Sequence, residues 1–303
     1  IDGADFNNSF GIGANLPAGG RPISLDAIGE ISVNITPFDI RQSGFIGSAI
    51  NAVTRAGTND FSGSVYRYFR NEKYRGDQVE EAKFIRPVEE FEQWGFRFGG
   101  PIIKNKLFFF INYETETQPR AIQTNFAATA GAPYGSSPNV ARPTADSLNF
   151  ISNYLLSNYG YITGPFDNYT PNIEQKKYMG RLDWNINNRH QLILRYSQVE
   201  GGTPSPLSSS TGGAGFNHPS GLGRTNNNAL WFKNSNYFQG ENFYSFAAEL
   251  NSNWGKVSNV FRGTYTYQDD SRSSESQTFP LVDIMSATGV STPAPYTTFG
   301  YEP

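Results

Sequence analysis

The ten residues Leu107–Glu116 read LFFFINYETE. One face of this segment is apolar and consists of Leu107, Phe109, Ile111 and Tyr113. The opposite face ends in three polar residues, Asn112, Glu114 and Glu116. Because successive side chains of a β-strand point to opposite sides, this period of two predicts a strand with one apolar face. Ten residues is also about the length that a tilted membrane-spanning strand needs.

Six other aromatic segments repeat this alternation: Ser62–Asn71, Trp94–Gly100, Tyr178–Ile186, Leu192–Gln198, Tyr244–Ser252 and Val257–Tyr267. Three connections between the segments are short: Pro101–Lys106, Asn187–His190 and Asn253–Lys256. The others are long: 119–174, 201–241 and 269 to the end. Short and long connections alternate in outer-membrane barrels, whose short turns face the periplasm and whose long loops face outward. We therefore expect the three short turns on the periplasmic side.

A soluble antiparallel sheet is the alternative, because it also has one apolar and one polar face. Long loops without structure of their own are uncommon in such compact domains, so the connections favour the membrane barrel. No apolar run approaches the roughly 20 residues of a membrane helix. The absence of such a run does not exclude a membrane barrel, since membrane strands give a weak hydropathy signal.

The composition excludes several functional classes. Among 303 residues, 24 Lys and Arg face 27 Asp and Glu, a net charge of -3, which argues against a nucleic-acid partner. The absence of cysteine excludes a disulfide scaffold, a thiol nucleophile and a zinc finger. Aromatic residues make up 15% of the chain, and 31 glycines and 18 prolines accompany them. This composition is typical of a strand-rich, turn-rich protein.

The N-terminal stretch, Ile1 to about Gly57, is poor in aromatic residues and differs from the rest. Two β-like pieces, Ile28–Ile35 and Ile50–Thr54, predict strands, and Ser24 is placed to cap a helical turn. This stretch is interpreted as part of a small mixed domain. Farther on, Asp146–Tyr159 has apolar residues at helical spacing and predicts a short amphipathic helix inside a long connection.

The N-terminal stretch resembles the plug domain of TonB-dependent outer-membrane receptors. In that family a strand of the form I-x-x-I-x-V precedes a Gly-containing segment and then I-N-x-V-T. The matching residues here are Ile28, Ile31, Val33, Gly44, Gly47, Ile50, Asn51, Val53 and Thr54. Residues Gly57–Ser64 look like the junction between plug and first barrel strand. Three further motifs resemble the Oar-like subgroup: Arg41–Phe45, Phe98–Ile102 and Lys106–Phe110.

The resemblance implies a mainly β fold in two parts. Residues 1–57 would be the C-terminal part of a mixed α/β plug, and residues 58–303 the first antiparallel strands and extracellular loops of a barrel of about 22 strands. A barrel of that size is wide enough to need a plug in its lumen. Seven strands are too few for it, so we expect the sequence to be a fragment of a larger chain. Any energy-coupling segment (the TonB box) and regulatory-like domain would precede Ile1.

Inward-facing charged residues on the predicted strands are the candidate lumen wall: Arg97, Arg181, Asp183, Arg195, Glu249 and Arg262. They are interpreted either as a solvated wall that hydrogen-bonds the plug or as a substrate path. Candidates for the interfacial aromatic girdles are Trp94, Trp184, Tyr178, Tyr196 and Tyr265.

Aromatic residues of the long connections either bind a glycan or peptide or fold the connections against one another: Tyr134, Tyr154, Tyr159, Tyr161, Phe216, Trp231, Phe232, Tyr237 and Phe238. No catalytic set is recognisable, and both histidines, His190 and His218, are interpreted as solvated turn or loop residues. The acidic pairs Glu80–Glu81, Glu89–Glu90 and Asp269–Asp270 lack the spacing of an EF-hand. We therefore expect no catalytic residue, no metal site and no cofactor.

Three functions are consistent with the sequence. The first is a plug-gated, TonB-dependent transporter of the cell outer membrane, not an enzyme, whose loops bind a substrate and whose partners are the TonB complex and outer-membrane lipid. The second is an outer-membrane anchor whose large loops serve adhesion or assembly with a surface lipoprotein or another outer-membrane partner. The third is a soluble carbohydrate-binding β domain. The loops carry no motif that identifies a substrate.

Overall fold

The computed structural model describes residues 1–2, 6, 21–35, 48–74, 76, 78–79, 82–83, 90–208, 223–226, 228–286 and 294–302. Some residues that the sequence singled out lie outside these ranges: Arg41–Phe45, Gly47, Glu80, Glu81, Glu89, Phe216 and His218.

The described residues are mainly β. The strands are, in chain order, β1 (Ile28–Ile35), β2 (Ser48–Thr54), β3 (Ser62–Arg70), β4 (Gln78–Val79), β5 (Ala82–Lys83), β6 (Phe91–Ile103), β7 (Leu107–Pro119), β8 (Phe126–Ala128), β9 (Val140–Thr144), β10 (Asn172–Asn187), β11 (His190–Ser205), β12 (Leu230–Trp231), β13 (Tyr237–Gly240), β14 (Asn242–Asn253), β15 (Ser258–Asp269), β16 (Arg272–Ser274), β17 (Val282–Met285) and β18 (Pro295–Phe299). One α-helix, α1 (Ala145–Tyr159), lies between β9 and β10. Single 3-10 turns occur at Leu25–Ala27, Glu72–Tyr74 and Lys233–Ser235.

The chain divides into two compact units. The first unit contains Ile1–Gln118, Ile173–Gly202 and Gly240–Asp270, and the second contains Pro119–Asn172, Thr203–Gln239 and Ser271–Pro303. The pieces of the second unit coincide closely with the three long connections predicted from the sequence. These connections have strands, a helix and a hydrophobic core of their own, so their length alone does not exclude a soluble domain.

The main sheet of the first unit contains all seven predicted strands. Its order is β15-β14-β11-β10-β7-β6-β3. These seven strands therefore lie side by side in the order in which they follow one another along the chain. Five neighbouring pairs are antiparallel: β3–β6, β6–β7, β10–β11, β11–β14 and β14–β15. Among the strands that the structure describes, this sheet is open, with β3 and β15 at its edges. Separately, β1 and β2 form an antiparallel pair, as their β-branched residues predict.

The three predicted short turns are confirmed, and local side chains explain each of them. Asn105 adopts a φ of 62°, a left-handed conformation that asparagine tolerates better than most residues. Asn187 accepts hydrogen bonds from the backbone amides of Arg189 and His190, which forms an Asx turn. Gly255, with a φ of 84°, supplies the left-handed residue of the last turn.

The second unit is built around α1. Ser147 N–H donates to the Thr144 hydroxyl at the start of the helix, and Gly160 ends the helix at a φ of 64°. The helix buries Leu148 and Leu155 in a core that also contains Tyr161, Leu230, Phe232 and Phe299. Within the described residues, no helix has both the length and the apolar character needed to cross a membrane.

Three buried side chains of the second unit are connected by hydrogen bonds. The Trp231 indole donates to Asn236 Oδ1 at 2.7 Å, and Asn236 Nδ2 donates to the Tyr169 hydroxyl at 3.0 Å. Burial raises the pKa of Tyr169 to about 12. These bonds satisfy polar atoms that would otherwise be costly to bury.

Replacing Gly160 with alanine tests the helix end. A Cβ at Gly160 would meet no atom within 4 Å, so any cost comes from the left-handed backbone, about 1 kcal/mol. Amide hydrogen exchange at the C-terminal end of α1 should become about fivefold faster. Gly131→Ala is the matched control, because Gly131 also has open space and has no positive φ. Equal acceleration in both variants would contradict this explanation.

Candidate functional site: the polar face of the main sheet

The main sheet exposes its apolar face and buries its polar face. Five apolar side chains on one face are 40–45% exposed: Phe98, Ile111, Leu182, Tyr196 and Phe246. Five polar or charged side chains on the other face are only 2–4% exposed: Asn112, Glu114, Lys177, Asp183 and Arg195. Soluble proteins almost never bury such charges while exposing an apolar face. The arrangement is that of a membrane barrel wall, which is apolar outside and polar inside.

The pairing of neighbouring strands places their apolar residues on one face of the sheet and their charged residues on the other. Leu194 of β11 pairs with Leu182 of β10 and with Ala248 of β14. The next residue, Arg195, pairs with Arg181 and Ala247 and points to the opposite face. The face assignments made from the sequence for β11 therefore agree with the burial of these side chains.

Aromatic rings follow the apolar face from strand to strand. Trp94, Tyr113 and Tyr178 lie side by side, with successive ring centroids 5.2 Å and 5.0 Å apart. Tyr196 pairs with Phe246, which in turn pairs with Tyr265. Trp184 is also exposed, near the turn end of β10. The five girdle candidates thus lie on the exposed face of the sheet.

An N-terminal cluster covers part of the polar face. Arg195 Nη1 donates to the Asp2 carboxylate at 2.8 Å and to the Ile1 carbonyl at 2.7 Å. The same carboxylate accepts from the Thr54 amide at 2.9 Å and from the Thr54 hydroxyl at 2.7 Å. Arg181 Nη1 donates to the Thr54 carbonyl at 2.9 Å. Two strands of the sheet are thereby bonded to the N-terminal stretch.

These contacts alter the acidity of Asp2. Burial alone would raise its pKa, but the Thr54 hydrogen bonds and the Arg195 charge outweigh burial and lower the pKa below its ordinary value. Asp2 therefore remains a carboxylate at neutral pH and keeps its ion pair with Arg195.

A second cluster bonds residues 21–26 to other strands of the same face. Tyr66 donates to Glu114 Oε2 at 2.6 Å and lies 3.0 Å from the Ser24 hydroxyl. Lys177 donates to Glu114 Oε1 at 2.6 Å, and both side chains are buried. Charge-assisted bonds of this length are among the strongest in proteins.

Two further ion pairs extend the second cluster. Arg21 Nη2 lies 2.6 Å from Glu116 Oε1. Asp26 accepts from the Ser64 hydroxyl and lies 3.2 Å from Arg97 Nε. Residues 21–26 therefore contact β3, β6 and β7 through side chains on the polar face.

The structure brings together most of the candidate wall residues. Arg181, Arg195, Glu249 and Arg262 line a cavity of about 190 Å³ together with Asp2. Asp183 is bonded to Arg181 by two hydrogen bonds, at 2.9 Å and 2.8 Å. Arg262 Nε donates to Glu249 at 2.8 Å. Arg97 belongs instead to the second cluster.

Sequence reasoning missed several members of these clusters. Glu114 and Glu116 were placed on the polar face but not among the site residues. Lys177 precedes the strand predicted to begin at Tyr178, although its spacing to Arg181 and Asp183 places it on the same face. For Asp2 and Ser24, no sequence signal indicates the partner, because that partner lies far along the chain.

Some polar atoms of this face have no hydrogen-bond partner in the described part of the chain. They include Arg195 Nε and Nη2, Asn112 Oδ1, Gln175 Oε1 and the hydroxyls of Ser197 and Ser245. Within the described residues, no group of three or more Asp, Glu or His side chains is placed to hold a metal ion.

Removing one member of the buried pair should be costly. Glu114→Gln leaves the Lys177 ammonium buried without its anion, a change of about 3–5 kcal/mol. Glu92→Gln is the control, because Glu92 forms an exposed pair with Arg67 worth about 0–1 kcal/mol. Heat-modifiable gel mobility of the intact protein should show a lower unfolding temperature for Glu114→Gln only. Similar temperatures for both variants would contradict the buried pairing.

Comparisons with known proteins agree with this sidedness. Residues 53–301 match the outer membrane beta barrel domain family. The TonB-dependent transporter Oar of Myxococcus xanthus is 26% identical over 222 residues, which are 71% of this chain and 18% of that protein. The chain thus spans less than a fifth of that relative.

A solved structure gives a similar fold. The outer membrane transporter YddB from Escherichia coli superposes with a TM-score of 0.53 at 9% identity, over 92% of this chain and 30% of that chain. At this identity the likeness concerns the fold alone. Since the family match spans most of its length, the chain belongs to the outer membrane β-barrel domain family and is located in the outer membrane.

Proposed function

We propose that this chain is part of a TonB-dependent outer-membrane transporter of the Oar-like subgroup. Residues 1–57 are the C-terminal part of its plug, and residues 58–303 are the first strands and extracellular loops of its barrel. The observation that carries the proposal is the bonding of residues 1–2, 21–26 and Thr54 to the buried polar face of the sheet. A plug lodged in a polar lumen requires such contacts.

The open sheet supports a larger barrel. In lipid, an unpaired strand edge leaves backbone amides and carbonyls without partners, so membrane sheets close into rings. Both β3 and β15 have one edge that no other described strand of the main sheet pairs with. Further strands close the ring in this proposal, to a total of about 22, and the lumen then has room for a plug.

The candidate wall residues divide into two roles. Arg97, Arg181 and Arg195 contact the N-terminal segments and hold the plug against the wall. Asp183, Glu249 and Arg262 form ion pairs with wall arginines or carboxylates and give the wall its polar surface. Moving the plug would break the first set of contacts and leave the second intact, which opens a path along charged residues.

In this proposal the wall residues supply neither the energy for transport nor the binding site for the substrate. A segment before Ile1 contacts the TonB complex, which pulls on the plug from the periplasm. The short turns face the periplasm, and the long connections face outward, where they bind the substrate. The protein is not an enzyme in this proposal: it moves its substrate without changing it.

A second candidate function is an outer-membrane anchor whose loops bind a surface partner protein. The observation that favours it is the exposed aromatic face of α1, where Phe150 and Tyr154 are exposed and their ring centroids lie 6.3 Å apart. Other loop aromatics, including Tyr161, Trp231 and Phe232, are buried and fold the second unit. Only the exposed set is available to a partner or a substrate.

Labelling of a buried plug residue tests transport against anchoring. Ser24 is buried against Tyr66, and this chain has no native cysteine. A Ser24→Cys variant should react with a small maleimide in energised cells and resist it in cells that lack TonB, because only a pulled plug exposes the site. Ser258→Cys, at an exposed position, should react in both strains. Equal labelling of Ser24→Cys in both strains would favour the anchor.

A charge on the apolar face tests whether β11 spans the membrane. Leu194→Arg places a cation near the bilayer midplane and should cost about 2–4 kcal/mol. Arg195→Leu places no charge in lipid, so it should still assemble while Asp2 loses its ion pair. Heat-modifiable mobility of the intact protein in outer membranes measures both. Normal assembly of Leu194→Arg would mean that this segment does not span the membrane.

A further inference from the structure

The three short turns of the main sheet are bonded to one another. Asn185 N–H donates to the Lys106 carbonyl at 2.8 Å, which connects the first turn to the second. Asn253 N–H donates to the Arg189 carbonyl at 2.8 Å, which connects the second turn to the third. We call the segments 101–107, 185–191 and 252–258 together the turn ledge. It is one continuous surface at one end of the strands.

The turn ledge is cationic. It contains four cations, Lys104, Lys106, Arg189 and Lys256, and no aspartate or glutamate. Asp60 is a carboxylate on the neighbouring segment, whose Asn59 bonds to Asn105, and it does not offset four positive charges. The ledge is therefore a basic patch on a chain whose net charge is -3.

The opposite ends of the same strands carry charges of both signs. Glu92 is the second residue of β6, Glu174 lies near the start of β10, and Glu200 and Asp269 lie near the ends of β11 and β15, while Arg67 and Lys176 lie at the same ends of β3 and β10. The turn ledge differs from these ends because it contains cations and no carboxylate.

The ledge also forms a basin. A cavity of about 800 Å³ is lined by Lys104, Lys106 and Arg189 together with asparagine amides such as those of Asn187 and Asn188, and none of its described lining residues is an aspartate or glutamate. Ammonium, guanidinium and amide N–H groups are donors, and phosphate oxygens are their preferred charged acceptors. The basin is wide enough for a phosphate group and the atoms attached to it.

Exposed apolar residues are also part of the ledge. Ile102, Ile103, Trp254 and Val257 are all about half exposed, and Trp254 contacts the His190 ring at a centroid distance of 5.6 Å. Tryptophan is enriched where a membrane meets water. The ledge therefore combines cations with exposed apolar side chains, and an interface between a membrane and water accommodates both.

We propose that the turn ledge binds the phosphate headgroups of anionic phospholipids in the periplasmic leaflet of the outer membrane. This inference rests on the orientation proposed above, in which the short turns face the periplasm. The charge favours a phosphate, and the exposed apolar residues of the ledge favour a phosphate that is attached to a lipid. Basic residues at a membrane surface gain affinity from anionic lipid, about fivefold for each cation.

Lipid retention tests this binding. The intact protein in mild detergent is equilibrated with equimolar phosphatidylglycerol and phosphatidylcholine, and native mass spectrometry counts the bound lipids. We expect phosphatidylglycerol to be enriched, and a Lys104→Gln, Lys106→Gln, Lys256→Gln variant to lose the enrichment. The matched control removes three cations from the other end of the strands: Arg67→Gln, Lys73→Gln and Lys176→Gln. Loss in both variants, or enrichment in all forms, would overturn the proposal.

Two additional arms separate the other sources of phosphate. Excess inorganic phosphate at constant ionic strength should leave phosphatidylglycerol bound, and complete displacement would mean that the ledge is a site for free phosphate. Lipopolysaccharide offered in place of phosphatidylglycerol should not depend on the three ledge lysines. A lysine-dependent retention of lipopolysaccharide would overturn the choice of leaflet.

Orientation is measured separately. In intact cells a membrane-impermeant maleimide should label Ser137→Cys, in the second unit, and not Asn188→Cys, in the ledge; both positions are exposed. The reverse labelling would overturn the proposed orientation, and with it the periplasmic leaflet. Absence of phosphatidylglycerol enrichment in the unsubstituted protein, with normal labelling, would overturn the lipid site alone and leave the transporter proposal in place.

Discussion

The rest of the structure depends on the burial of charged side chains on one face of an amphipathic sheet. Glu114, Lys177 and Arg195 are all less than 5% exposed, and buried charges destabilise a protein unless partners compensate them. The partners come from the sheet itself and from residues 1–2, 21–26 and Thr54. The other face needs no protein partner if it lies in lipid. One sheet thereby requires two surroundings, a membrane outside and a polar segment inside.

This requirement distinguishes a membrane barrel from a soluble domain more firmly than the long connections do. The long connections looked like evidence for a barrel because soluble domains rarely tolerate long unstructured loops. In the structure they contain α1 and a core around Leu148, Tyr161 and Phe232, so a soluble protein would tolerate them as well. The inverted burial of apolar and polar side chains has no such alternative explanation.

The fold was predictable from the sequence where polar and apolar residues alternate within one continuous segment. The period of two in Leu107–Glu116 and its six counterparts predicted the seven strands β3, β6, β7, β10, β11, β14 and β15, and the spacing in Asp146–Tyr159 predicted α1. Six of these seven strands are longer than predicted, as in β10 and β11 with 16 residues each, because their ends lose the aromatic alternation while the backbone ladder continues. The plug boundary at residue 57, the barrel of about 22 strands and the lumen role of the wall residues stay predictions.

The candidate site was less predictable than the fold, because half of it lies far along the chain. Alternation places Arg181 and Arg195 on the polar face, but nothing near either residue indicates Thr54 or Asp2 as a partner. The resemblance to plug domains pointed to the right segment, since Thr54 ends its I-N-x-V-T motif. It gave no side-chain contact. Lys177 was missed because the strand was predicted to begin one residue later, at Tyr178.

The sequence separation of the contacts has a kinetic consequence. The hairpins of the wall join residues a few positions apart, as in the pairing of Asn187 with His190, whereas Arg195 reaches back 194 residues to the Ile1 carbonyl. Closing a loop costs entropy before its contact is gained, so local pairings form early and distant ones late. The hairpins should therefore assemble first, and the N-terminal segments should dock onto a wall that already exists. Until they dock, the charges of that wall are exposed to water.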